Sequence, residues 1–126
     1  MNLIVVDDEP MIAHTLADIL NGEGHRAIAV LNGESALKAA EAIRPDAVIM
    51  DVIMPGMDGV ETAKNILRVV PECRIILFSG QASSSDLLEK AREQGYEFEV
   101  VAKPINPIIL LSKLTGQTIT ETRRLA

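Results

Sequence analysis

Tryptophan is absent from this chain of 126 residues, and Phe78, Phe98 and Tyr96 are its only aromatics. With 48% hydrophobic residues the core must therefore be aliphatic, and the length fits one domain that needs no metal or disulfide to hold it together. Cys73 stands alone, which excludes an internal disulfide and a cysteine-based zinc site and leans toward a reducing compartment. Basic side chains are outnumbered, 12 against 18 acidic, for a formal charge of −6. That balance argues against direct nucleic-acid contact through backbone phosphates. No apolar run reaches the roughly 18 residues of a membrane span. Asp7-Asp8-Glu9 also stands where a secretory signal needs a basic and then an apolar region. A cytoplasmic domain without membrane contact is expected.

What is present alternates between short β-branched runs and longer segments of helical period. Leu3–Val6 reads as a strand buried on both faces. Pro10 is placed for the first turn of the following helix, whose stripe is Ile12, Leu16, Ile19 and Leu20, and Gly22 and Gly24 stop it. Ala27–Leu31 is a second strand. Asn32 is set to cap a helix carrying Ala36, Leu37, Ala40 and Ile43, and Pro45 ends it. Ala47–Met50 is a third strand, and the breaker-rich DVIMPGMDG after it must be a structured loop, with Asp58 as a turn or cap residue. Val60, Ala63, Ile66, Leu67 and Val70 mark a third helix. Arg74–Phe78 is a fourth strand, 84–94 a fourth helix with little apolar content, and Phe98–Ala102 a fifth strand diluted by Glu97 and Glu99. Asn106-Pro107 opens a last helix through about Leu114. Residues 1–116 form the domain, and 117–126 read as a polar tail or the start of a linker toward an absent output domain.

Five strands alternating with five helices predict an α/β fold, (βα)5, with a parallel sheet covered on both faces. The first βα turn has no G-x-G-x-x-G and there is no P-loop, so flavodoxin-like strand order 2-1-3-4-5 is preferred. Each strand end then carries a polar group: Asp7 and Asp8, Asp51, Ser79 and Lys103. In an open α/β sheet these ends share one rim, with a crevice where strand order reverses. Any one aspartate there could simply cap a helix. Together, three carboxylates in a cleft repel one another unless a cation joins them, and an all-oxygen set favours Mg2+ over Zn2+. With Lys103 adding a positive charge, such a pocket has room for a phosphoryl group.

The motifs VVDDEP around Asp7-Asp8, MDVIMPGMDG around Asp51, FSG around Ser79 and AKP around Lys103-Pro104 closely resemble the receiver domain of bacterial two-component response regulators. The likeness covers essentially residues 2–115. It implies a CheY-like three-layer fold in which a phosphoryl group moves from a sensor histidine kinase, or a histidine phosphotransfer protein, onto an aspartate. On that resemblance Asp51 is the phosphoacceptor. Asp8, Asp51 and the Ile53 carbonyl are Mg2+ ligands, with Asp7 acting through water. Ser79 is the hydroxyl that follows the phosphoryl group, Lys103 the cation on its oxygens, and Lys103-Pro104 a cis bond. Ile53 and Gln81 are the residues that an attacking water must pass. A homodimer through the face of the fourth helix, fifth strand and fifth helix is a further possibility. The chain departs from the family in having Val100 where a switching Tyr or Phe is common, and one extra residue between Gly95 and Lys103. The switch region thus comprises Val100, Phe98 and the loop from Gly80, with Phe98 or Tyr96 as substitute aromatics.

Three other functions compete. A Mg2+-dependent aspartyl-phosphate phosphohydrolase needs a general acid two residues after the nucleophile, where Ile53 stands. A flavin carrier would have Asp7-Asp8 against its phosphate. A phosphate-independent pseudo-receiver is disfavoured by the full acidic and cationic set. The chain is accordingly expected to be a switch and not an enzyme beyond Mg2+-dependent self-phosphorylation and slow self-dephosphorylation. His14 and His25 are expected in solvent, Cys73 buried, and Met50, Met54 and Met57 as packing spacers.

Overall fold

The computed structural model describes residues 1–80 and 83–116. Along the chain run β1 (Asn2–Val6), α1 (Pro10–Gly22), β2 (Arg26–Val30), α2 (Gly33–Ile43), β3 (Ala47–Asp51), α3 (Gly59–Val69), β4 (Arg74–Ser79), α4 (Ser83–Glu93), β5 (Glu99–Ala102) and α5 (Pro107–Thr115). All strand pairings are parallel, in the order β2-β1-β3-β4-β5. This is the CheY-like flavodoxin fold expected from the alternation. Strand boundaries move by a residue or so: β2 starts at Arg26, β4 reaches Ser79, and β5 starts at Glu99.

Period-two alternation divides the aliphatic core between the two sheet faces. Ile4, Val6, Val48, Met50, Ile75 and Leu77 pack under α2, α3 and α4. Leu3, Val5, Ile49, Ile76, Phe78 and Val101 pack under α1 and α5. The caps are local and legible. Asn32, Asp58 and Asn106 accept hydrogen bonds from the amides of Ser35, Glu61 and Ile108 respectively. Pro10 and Pro107 sit in first turns, where a missing N–H costs nothing.

The predicted stripe of α1 is rotated. Its buried face is Ala13, Leu16, Ala17 and Leu20, while Ile12 is 37% exposed and Ile19 half-buried. Small alanines take the closest approach to the sheet, which a stripe drawn through the largest residues misses. In α2 the expected Ala36 and Ala40 are buried together with Gly33, Leu37 is half-buried, and Ile43 at the end of the helix is exposed. Cys73, Met50 and Met54 are buried, and Met57 is half-buried. His14 is exposed, but His25 is half-buried, its Nδ1 3.4 Å from the Met1 amine. Burial and the Met1 charge both hold its pKa below the usual imidazole range.

Candidate functional site

The rim at the C-terminal strand ends collects the predicted residues because three strands stop in polar side chains at neighbouring positions. Asp7 follows β1 directly. Its amide donates to the Val30 carbonyl (3.2 Å), continuing the ladder one residue past the strand. The side chain is fully buried: Oδ1 accepts from the Glu9 amide at 2.9 Å, while Oδ2 is buried with no hydrogen-bond partner. Burial raises the Asp7 pKa. The charges of Asp51 and Asp8 add to that rise, and the Glu9 amide and Lys103 oppose it.

Asp51 ends β3 and is 5% exposed. One carboxylate oxygen accepts from the Ile53 amide (3.2 Å) and the other from Lys103 Nζ (2.9 Å). Two close approaches secure this arrangement. A Cβ on Gly59 would strike the Asp51 carbonyl, so only glycine lets α3 begin here, its amide on the Val52 carbonyl at 2.8 Å. A Cβ on Gly80 would lie 2.8 Å from that of Lys103, so the bare backbone makes room for the lysine stem. The Lys103 amide is held to the Ser79 carbonyl at 3.0 Å, and its ammonium lies 5.3 Å from the Phe78 ring centre. Burial would lower the Lys103 pKa, but the hydrogen bond to Asp51 and the charges of Asp51, Asp7 and Glu9 outweigh it and raise it. Lys103-Pro104 is cis, as the resemblance implies.

Asp7, Asp8 and Asp51 each bring an oxygen within 4.8 Å of the others, with Asp8 the exposed member. The Lys103 ammonium pairs with Asp51, and among the described residues the buried Asp7 Oδ2 is left without a partner. The donor set thus fits a hard divalent cation, which would relieve the repulsion and give Asp7 Oδ2 a partner directly or through water. A cavity of about 410 Å3 opens over the cluster, lined by Asp8, Glu9, Asp51, Ile53, Met54, Pro55, Ser79, Gly80 and Lys103. Its size suits a phosphoryl group with a cation and water.

The rest of the predicted set is less uniform. Ser79 ends β4 and lines this cavity, but its hydroxyl bonds that of Ser84 on α4. Sequence reasoning missed Ser84, for which a run of three serines was the only signal, and missed Glu9, Met54 and Pro55 as lining. Val100 does not belong to the core: it is 40% exposed and shares a smaller cavity of about 220 Å3 with Leu88, Arg92, Glu97 and Phe98. Phe98 is half-buried and stacks on Tyr96, ring centres 5.7 Å apart. Gln81 and the tail 117–126 lie outside the described residues.

Comparison with known proteins agrees with this geometry. Residues 3–115 match the family described as the response regulator receiver domain. The DNA-binding response regulator MtrA of Mycolicibacterium smegmatis is 31% identical over 115 residues, which is 91% of this chain and 49% of that protein. The chain therefore spans about half the length of the MtrA regulators it matches. The chemotaxis protein CheY of Thermotoga maritima is 28% identical over 83% of this chain and 87% of its own. Among solved structures, a beryllofluoride-activated DrrB receiver domain has a TM-score of 0.76 at 30% identity, covering 91% of this chain and 94% of that one. CheY4 of Vibrio cholerae gives 0.79 at 26%, covering 94% and 98%. This chain belongs to the response regulator receiver domains, the CheY-like signalling switches of two-component systems.

Proposed function

We propose that Asp51 is the phosphoacceptor of this switch. The observation that carries the reading is its placement: a nearly buried carboxylate with one oxygen on Lys103, within 4.8 Å of two further carboxylates. An Asp51 oxygen forms the new bond to phosphorus as the bond to the donor's leaving atom, a histidine nitrogen in a kinase or phosphotransfer protein, breaks. The Ile53 amide orients the Asp51 carboxylate. The Lys103 ammonium moves from carboxylate to phosphoryl oxygens and balances their charge. Asp8, Asp51 and the Ile53 carbonyl are the groups that would hold Mg2+, with Asp7 behind them, and the ion would supply charge neutralisation there.

Ile53, 36% exposed on the cavity wall, supports slow loss of the phosphate, since an apolar side chain offers an attacking water no hydrogen bond. The same residue disfavours a phosphohydrolase. An apolar groove of about 700 Å3 between α1 and the start of α5 shares Gly80 and Lys103 with the site, which suits a partner that delivers its phosphoryl group there. Exposed Val100 and Ile109 are compatible with self-association through α4, β5 and α5. Among the described residues no helix is long and apolar enough to cross a membrane. We assign the chain to the cytoplasm, with residues 1–116 as the receiver and 117–126 as a polar tail or the start of a linker.

Acetyl phosphate with Mg2+ should add one phosphate by intact mass, and Asp51→Asn or EDTA should abolish it. A phosphate mapped to another residue, or transfer undiminished by EDTA, overturns the assignment.

A further inference from the structure

Ser84 is 1% exposed, and its hydroxyl meets that of Ser79 across the junction of β4 and α4. Ser79 also lines the phosphoryl cavity, so a single side chain faces two partners. We propose that Ser84 is a positioning residue: it holds the Ser79 hydroxyl away from Asp51 in the unphosphorylated protein, and release of this bond is how phosphorylation reaches α4. The proposal rests on Asp51 as phosphoacceptor.

Three observations support it. A serine has one rotor and one hydroxyl proton, so an oxygen turned toward a phosphoryl group leaves Ser84. Helix α4 is lightly anchored: among its described side chains only Ser84 and Ala91 are buried, and Leu87 and Leu88 are half-buried. The cavity of about 220 Å3 between Leu88 and Val100 leaves the helix space to shift. Val100 is itself no substitute for a rotating ring, because a β-branched side chain is short and stiff at χ1.

Beryllofluoride with Mg2+, a phosphoryl mimic, separates the outcomes. Ser84→Ala should bind it roughly two- to tenfold tighter than wild type, the equivalent of one neutral hydrogen bond removed from the resting state. Ser84→Thr, which keeps the hydroxyl, should restore wild-type affinity. In a Ser79→Ala background Ser84→Ala should have no further effect, which a merely structural role would not produce. Should Ser84→Ala fail to fold, the wild-type protein still decides: the Ser84 amide and Cβ resonances must move when the mimic binds. Unchanged or weaker binding by a folded Ser84→Ala, or static Ser84 resonances, overturns the latch while leaving Asp51 in place. A wild type that does not bind the mimic, or an Asp51→Asn variant that binds it equally, overturns the phosphoacceptor reading and the latch with it.

Discussion

Two parts of the sheet are built differently, the central strands β1 and β3 and the β5 edge with α4 beside it. The opposite edge, β2, is as lightly buried as β5. On the side of β1 and β3 the strands are flanked on both edges, and after Asn2 every residue from Leu3 through Asp7 and from Ala47 through Asp51 is buried. On the other side β5 is a four-residue edge strand with only Val101 buried, and α4 lies over it with few inward side chains. The acidic cluster stands on the first part, and Ser79, Ser84 and Val100 on the second. Bond-making chemistry needs side chains held to fractions of an ångström, whereas a readout needs an element whose displacement costs little. The contrast in packing between the central strands and the β5 edge matches that division of labour, with Lys103 joining them through Asp51 and the Ser79 carbonyl.

Core truncation tests this contrast most strongly. Ile49 is fully buried at the centre of β3, so Ile49→Ala should cost about 2–5 kcal/mol in chemical denaturation. Leu88→Ala removes a half-buried side chain beside an existing cavity and should cost about 1 kcal/mol. Equal losses would mean that α4 is as firmly held as the central strands.

Smaller, and of opposite sign, is the effect of relieving the acidic cluster. Asp7→Asn removes a buried charge that lacks a full set of partners and should stabilise the metal-free protein by about 1 kcal/mol, read as a higher melting temperature. Mg2+ should raise the melting temperature of wild type by linkage, and raise that of the variant less. A variant less stable than wild type without metal would show that Asp7 is a structural carboxylate.

Much of the first part was legible in the sequence because its signals are local. Uninterrupted runs such as Leu3–Val6 and Ala47–Met50 can be little but buried parallel strands, and the polar residue ending each run falls on the rim by topology. The second part depends on contacts that no local pattern encodes. Ser84 meets Ser79 only once α4 is docked. The helical face of α1 was misjudged because its alanines, weak in any hydropathy pattern, take the sheet contact, whereas Ala36 and Ala40 of α2 are buried as expected and Ile43 at its end is not. The glutamates that seemed to weaken β5 illustrate the same limit. Glu99 is answered by Arg74, twenty-five residues earlier in sequence and adjacent only through the parallel pairing of β4 with β5.

That pair supplies the subtlest test, because it is a two-pronged polar tie in the loosely packed part of the sheet. Arg74 Nε and Nη2 donate to the two Glu99 carboxylate oxygens at 2.5 and 2.6 Å, and Nη1 reaches the Lys113 carbonyl in the last turn of α5. Both side chains are about one-third exposed, so solvent screening limits the gain to about 0.5–1 kcal/mol despite the two-pronged geometry. The hydrogen bond from Arg74 and its charge hold the Glu99 pKa below the ordinary value of 4.5, against a smaller opposing effect of burial. A carboxylate depressed in the folded state contributes its full stability above pH 4.5 and loses it as the pH falls through the lower folded value. Glu99→Gln should therefore be slightly less stable than wild type at pH 7, and the difference should close as the pH falls below 4.5 and through the depressed folded value. Amide exchange should rise in the last turn of α5 and leave β1 and β3 unchanged, because the pair ties α5 to β4 and does not touch the acidic cluster. Faster exchange across β3 in this variant would mean that the two parts unfold as one unit, and that the contrast between them is confined to surface burial.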